Sequence, residues 1–219
     1  MNVKERLLAA IGQRPVDRMP VMTYNFHPYT SEWHEKEDGT FVGPAGYGPM
    51  MDAVLRTGTG MMPKVGARHY GVLQERSRSE RFREGDATVT ITTLETPRGP
   101  LHTRHVEPAG QPGYTVKSLI QSDDDLHKYL SIPNEPAQVD VTSAVEVYRR
   151  LGDRGVVHMG YSDPMYSVAH LFDFEDFCIR VATQRSLIVD MIEREFERIR
   201  VELARVLAQV EGYTFMFCT

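Results

Sequence analysis

The stretch Met19-Pro20-Val21-Met22-Thr23-Tyr24-Asn25-Phe26-His27 most constrains the fold, because it is a short apolar run, entered through a proline, that ends in polar groups. Proline suits the first residue of a strand, where a missing N–H costs little. Residues 21–24 read as the first buried strand of a parallel barrel, with the C-terminal end opening into the active site. Ahead of it, residues 2–13 place Val3, Leu7, Leu8 and Ile11 on one helical face. Asn2 is the expected N-cap, and Gly12 and Pro15 end that helix.

Strand-then-helix logic returns in the second half. Ser122-Asp123-Asp124-Asp125 caps a helix running to about Leu130, with acids on the positive end of its dipole. Residues 141–151 set Ala144, Val145, Tyr148 and Leu151 on one face, and Gly152 stops them. Val156-Val157-His158-Met159 is a short buried strand. Asp163 caps a helix carrying Met165, Val168, Ala169 and Leu171, and Asp173 caps another. Residues 184–210 form the longest helix, with Ile188, Met191, Ile192, Phe196, Ile199, Leu203, Val206, Leu207 and Val210 at 3–4 spacing. Residues 213–219 read as a strand.

Between these halves the periodicity changes. Residues 26–66 are dense in Tyr, His, Gly and Pro and read as a long structured loop with one short helix around 49–56. Met50, Met51, Met61 and Met62 suit the filling of irregular core. Residues 87–94 and 101–106 alternate on either side of Thr96-Pro97-Arg98-Gly99-Pro100, a β-hairpin with a polar outer face. Residues 72–82 are expected to add a strand.

With 219 residues, 41% hydrophobic and 25% charged, the chain can bury one sizeable core, read as a single domain over 1–219. A net charge of -5 gives no footprint for nucleic acid or an anionic membrane. Acids interrupt the basic run Glu75-Arg76-Ser77-Arg78-Ser79-Glu80-Arg81, which reads as a solvated face. Two cysteines, Cys178 and Cys218, exclude a disulfide scaffold by count. No apolar run reaches the roughly 18 residues of a membrane span, and the N-terminus has no signal-peptide core. A cytoplasmic protein is expected. A parallel strand buried on both faces needs a neighbour and a covering helix, and a complete (β/α)₈ barrel takes about 250 residues. The fold expectation is therefore α/β: the N-terminal part of a TIM-type (β/α)₈ barrel, incomplete at the C-terminus, with an N-terminal helix and a β-hairpin insertion.

The opening Val3-Lys4-Glu5-Arg6-Leu7-Leu8-Ala9-Ala10-Ile11-Gly12, followed by Pro15-Val16-Asp17-Arg18-Met19-Pro20-Val21, resembles the start of the uroporphyrinogen decarboxylase family. Thr96-Pro97-Arg98-Gly99-Pro100-Leu101, then Ile120-Gln121-Ser122-Asp123-Asp124-Asp125-Leu126, then residues 160–177 extend the likeness in order over nearly the whole chain. The resemblance implies a (β/α)₈ barrel. It also implies one of two chemistries: cofactor-free decarboxylation of uroporphyrinogen III, or corrinoid-dependent methyl transfer in which zinc activates a thiol or another acceptor. In the decarboxylases a Met-Arg-Gln-Ala-Gly-Arg-Tyr motif follows the first strand, and its two arginines clamp substrate carboxylates. Those positions hold Asn25 and Tyr29 here, and neither supplies a bidentate cation. The resemblance thus favours the methyltransferase-like branch. That branch takes zinc on a His-x-Cys pair and a later Cys. This sequence contains no His-x-Cys, so zinc would need residues beyond Thr219, and no metal ligand is assigned. The family's tyrosine after a Gly-Ala-Pro-Trp-Thr segment falls on His170 if Pro164 is that proline.

In a barrel of this type, polar residues at the C-terminal ends of strands face the reaction. That selects Tyr24, Asn25 and His27 after the first strand, and Tyr161, Ser162 and Asp163 after the strand at 156–159. His27 and Asp163 are the candidate catalytic groups, the first because imidazole titrates near neutrality, the second as an N-cap whose helix end can also touch ligand. Tyr24, Asn25, Tyr161, Ser162 and His170 are the candidate substrate-binding residues. His158 and Cys218 read as core. His102 and His105, three apart on a strand, face opposite sides and cannot chelate one ion. The expected function is methyl transfer of the corrinoid-dependent type, on a small molecule or a corrinoid protein. Porphyrinogen decarboxylation is the runner-up and a non-catalytic fragment the third reading. A homodimer is compatible with this sequence.

Overall fold

The computed structural model describes residues 1–24, 34–35, 41–42, 56–211 and 214–218. The chain divides into two compact units assembled from discontinuous pieces. One gathers Met1–Arg68, Asp140–Tyr161 and Val206–Phe217; the other gathers His69–Val139, Ser162–Arg205 and Cys218–Thr219.

The first unit begins with the helix Val3–Ile11. Its N-terminus is closed by a capping box: Asn2 Oδ1 accepts from Glu5 N at 2.8 Å, and Asn2 N donates to Glu5 Oε2 at 2.9 Å. Leu7, buried, packs with Met62 and Val156. The helix approaches its neighbours closely because residue 60 is glycine; a Cβ there would lie 2.5 Å from Leu7 Cδ1. Each such buried aliphatic side chain contributes about 1.5–3 kcal/mol.

Four strands of this unit pair in parallel, while His34–Glu35 pairs antiparallel with Phe41–Val42. Met22–Tyr24 runs beside Gly60–Met62, with Met22 opposite Gly60. Lys64–Val65 runs beside His158–Ser162, with His158 opposite Lys64. A single parallel bridge joins Met61 to Gly155, and Thr214–Cys218 lies next to His158–Ser162. The α/β class is therefore present, and the described strands form open sheets rather than a closed barrel.

Two boundaries differ from the sequence reading. Residues 26–66, read as loop, contain the strands Gly60–Met62 and Lys64–Val65. Pro63 splits them into pieces too short to show a period. The strand read at 156–159 lies at His158–Ser162, although backbone pairing starts earlier, with Val156 N donating to Met61 O at 3.0 Å. Met61 and Met62 are buried, as core filling requires. The helix read around 49–56 lies, but for Arg56, outside the described residues.

The second unit holds a four-stranded antiparallel sheet, ordered Tyr114–Lys117, Leu101–Glu107, Ala87–Leu94, Ser77–Glu84. The central hairpin is the one read from alternation. The added strand at 72–82 is split: Val72–Arg76 is helical and Ser77–Glu84 is strand. Every residue of that outer strand is exposed, and Arg78, Glu80, Arg81, Arg83 and Glu84 discourage edge-to-edge pairing. His102 bonds Thr93 and His105 bonds Thr115, on opposite faces.

The core of this unit comprises Ile120, Leu126, Val168, Phe172, Ile188 and Met191, with a second cluster of Leu94, Leu101 and Ile132. The helices Asp123–Leu130, Pro164–Ala169 and Arg185–Leu207 supply most of these side chains. Ser122 Oγ accepts from Asp125 N at 3.1 Å, the cap the sequence implies. Asp173 departs from its expected role. It makes no side-chain bond to the helix Phe174–Thr183 and instead accepts from Ser118 Oγ at 2.6 Å. Arg180 is buried on that helix, donating to Asp123 and Asp176 at 2.9 Å each, with its guanidinium 5.5 Å from the Phe172 ring. On the long helix, Phe196 and Leu207 are half exposed while Glu202 is buried. Cys178 is exposed. Among the described residues, no helix is long and apolar enough to cross a membrane.

Candidate functional site

The strand His158–Ser162 ends where Pro164, which has no N–H, begins the helix Pro164–Ala169. Asp163 turns one into the other: its Oδ1 accepts from Met165 N at 2.8 Å and Tyr166 N at 3.2 Å. Consecutive strand residues point to opposite faces, so Tyr161 and Ser162 diverge. Tyr161 is buried, whereas Ser162 is exposed and lines a cavity of about 380 Å³. That volume falls at the small end of the usual range for ligand pockets.

The cavity has an apolar wall, from Leu73, Ile132, Val168 and Met191, and a polar one, from Ser162, Tyr166, His170, Arg194, Glu195 and Arg198. His170 follows the short helix and faces Tyr166, ring centroids 3.8 Å apart. Its Nδ1 lies 2.9 Å from Tyr166 O. A carbonyl only accepts, so this bond places the proton on Nδ1 and leaves Nε2 as the acceptor of the neutral ring.

The cavity's cations are largely occupied. Arg198 donates to Glu195 at 3.0 Å and to Glu202 Oε1 at 2.8 Å. Arg194 donates to the carbonyls of Leu130 and Ile132 at the end of the helix Asp123–Leu130, where a cation also suits the dipole. Glu202, behind Arg198, meets His69 Nδ1 at 3.1 Å and accepts from Ala137 N at 2.9 Å. Burial alone would push the Glu202 carboxyl up; the bonds from His69 and Ala137 and the charge of Arg198 outweigh it and hold the carboxyl below its usual range. Burial, with the Glu195 charge, pushes the Tyr129 phenol up. With Glu195 and Glu202 answering Arg198, the cavity matches a neutral or singly charged small molecule rather than a polyanion. His170 is the imidazole among its lining residues.

The structure thus brings Ser162 and His170, two sequence-derived candidates, into one cavity. Asp163 adjoins them with Oδ1 engaged by backbone. Tyr161 is not among the lining residues. Tyr24 ends the strand Met22–Tyr24; Asn25 and His27 lie outside the described residues. Sequence reasoning missed Tyr166, Arg194 and Arg198. By spacing Arg194 and Arg198 fall off the apolar stripe of the long helix, and no local signal separates them from Arg200, which pairs with Glu197 in solvent. Among the described residues, no three His, Cys, Asp or Glu side chains converge as a metal site. Comparisons with family models, curated proteins and solved structures return no match.

Proposed function

We propose that the chain is a uroporphyrinogen-decarboxylase-like enzyme of the (β/α)₈ type, on the methyl-transferring side of that family, with the Ser162–His170 cavity as its small-molecule site. One observation carries the reading: Ser162, at the C-terminal end of a parallel strand, and His170, on the element that follows, line the same cavity. Ligands of parallel α/β folds bind at that end of the strands. Parallel pairing of Met22–Tyr24 with Gly60–Met62 and of Lys64–Val65 with His158–Ser162 supports the barrel assignment. The cavity's paired charges weigh against decarboxylation of a substrate with eight carboxylates.

The described residues do not fit zinc, and no step is routed through it. A cavity of about 380 Å³ does not fit a corrin macrocycle either, so the corrinoid belongs on a partner protein. This chain's part is to hold the small substrate between the apolar wall and Ser162, and to accept a proton at His170 Nε2.

The test incubates the protein with methylcobalamin and a small thiol, following loss of the methyl–cobalt absorbance and formation of the methyl thioether by mass spectrometry. Ser162→Ala and His170→Gln should each slow the reaction, the latter about 100-fold as for loss of a general base. Release of CO₂ from uroporphyrinogen would move the protein to the other branch. Absence of both activities would overturn the enzymatic reading.

A further inference from the structure

A second cavity, of about 220 Å³, lies within the first unit. It is walled by the helix Val3–Ile11 and by the two segments that enter the parallel strands Met22–Tyr24 and Gly60–Met62. It therefore sits at the N-terminal ends of those strands, opposite the end at which parallel folds bind their reacting substrates. Two guanidiniums line it, from Arg6 and Arg18. Arg6 is 7% exposed and is fixed by Asp17: Nε donates to Oδ1 at 2.6 Å and Nη2 to Oδ2 at 2.9 Å. Nη2 also donates to Met1 O at 2.7 Å, whereas Nη1 makes no bond among the described residues. Arg18 is exposed, and its guanidinium meets no carboxylate among the described residues. It lies against Gly58, where a Cβ would come within 3.4 Å of Nη2 and where the backbone, at φ +64°, itself favours glycine. Next along the chain, Thr59 Oγ1 is 2.8 Å from Thr57 Oγ1, so it can accept from Thr57 and still donate its own proton. One carboxylate, Asp17, thus answers two guanidiniums, and the cavity keeps a net positive charge.

We propose that this cavity is a subsite for one phosphate group, free or carried on a small molecule, held by Arg18, Arg6 and Thr59. A guanidinium is a planar fork that keeps its charge and meets phosphate oxygens two at a time. The terminal oxygens of a phosphate accept from several directions at once, as two arginines and a hydroxyl supply them; a single fork suffices for a carboxylate. The volume lies below the usual range for pockets that enclose a whole ligand, so the cavity takes the charged group and leaves the rest of its carrier outside. The subsite rests on the first unit alone and is independent of the Ser162–His170 cavity and of methyl transfer.

Heteronuclear NMR of the arginine Nε–H groups reads the site in the full chain without an activity assay. The Arg18 signal is identified by its loss in Arg18→Lys. The protein is titrated with inorganic phosphate, with glycerol phosphate, with acetate and with chloride, at equal ionic strength. The phosphates should move the Arg18 signal along a saturable curve and leave Arg14, which is not among the lining residues, in place. The tighter curve of the two tells whether the site is made for the free ion or for a phosphorylated small molecule. Variants supply the second arm, with affinity read from the broadening of the phosphorus signal. Arg18→Gln should weaken phosphate binding by about tenfold or more, and Thr59→Val by a smaller factor, as for loss of a charged and of a neutral hydrogen bond. Arg18 is exposed, so its replacement should leave the melting temperature where it is. The absence of a saturable shift with either phosphate would overturn the proposal. So would an equal response to acetate, or unchanged phosphate affinity in Arg18→Gln.

Discussion

Glu202 accepts a hydrogen bond from Arg198 at 2.8 Å with only 2% of its surface exposed, so a residue of the long helix's charged pattern is in fact an interior carboxylate. Removing the charge leaves Arg198 and His69 facing a neutral group in a desolvated site. Glu202→Leu should cost about 3 kcal/mol, as for breaking one side of a buried pair. Urea denaturation measures it; a loss under half that size would show that the carboxylate is dispensable.

The same group sets an acid limb. Its folded-state pKa lies below the unfolded value near 4.5, so its stabilisation is present above that value and disappears as pH falls through the folded pKa. Glu202→Gln should flatten the stability profile in that window and leave its shape near neutrality unchanged. Stability curves at a series of pH values for both proteins decide this.

Arg180 joins two helices through Asp123 and Asp176 and stacks near Phe172. Asp123 is largely in solvent, which screens that half of the contact. Arg180→Met should therefore cost about 1–2 kcal/mol, less than a fully buried pair. Comparison with Asp123→Asn apportions the loss, and the Asp123 variant should account for the smaller share.

Gly155 is the most confined glycine among the described residues. A Cβ there would lie 1.9 Å from Met61 O, the backbone atom that accepts from Val156 N. Backbone cannot move aside as the flexible end of Lys64 can, which is what a Cβ on Gly160 would meet, at 2.7 Å. Gly155→Ala should lower stability by about 3 kcal/mol or more, while Gly160→Ala should not. Melting temperatures of the two variants, prepared side by side, make the contrast.

Asp163 is a cap first. Asp163→Ala should cost about 1 kcal/mol and Asp163→Ser much less, because a hydroxyl can replace the carboxylate at an N-cap. If methyl transfer is lost in the serine variant while its melting temperature is kept, the carboxylate has a chemical role beyond the cap.

Much of this structure was legible residue by residue. Asn2 with Glu5, Ser122 with Asp125, and Asp163 with Met165 are contacts within one helical turn, so their geometry follows from spacing alone. The hairpin is legible for a similar reason: alternation and a Pro-Gly turn are local. Asp173 shows the limit, since a serine 55 positions away took the oxygen expected to cap the helix.

By itself the sequence determined where helices start, where the hairpin turns, and that Ser162 would follow a strand. Tertiary structure alone decided which charged residues are interior and which residues share a cavity. Glu202 and Arg198 lie off the apolar stripe of the long helix, and local periodicity counts only neighbours along the chain. The surroundings of Glu202 come from residues 69 and 137, brought close by folding. Ser162 and Arg194 are likewise far apart in sequence and line one cavity only once helix and strand are packed. Burial and charge compensation depend on those distant neighbours, and no spacing rule carries them.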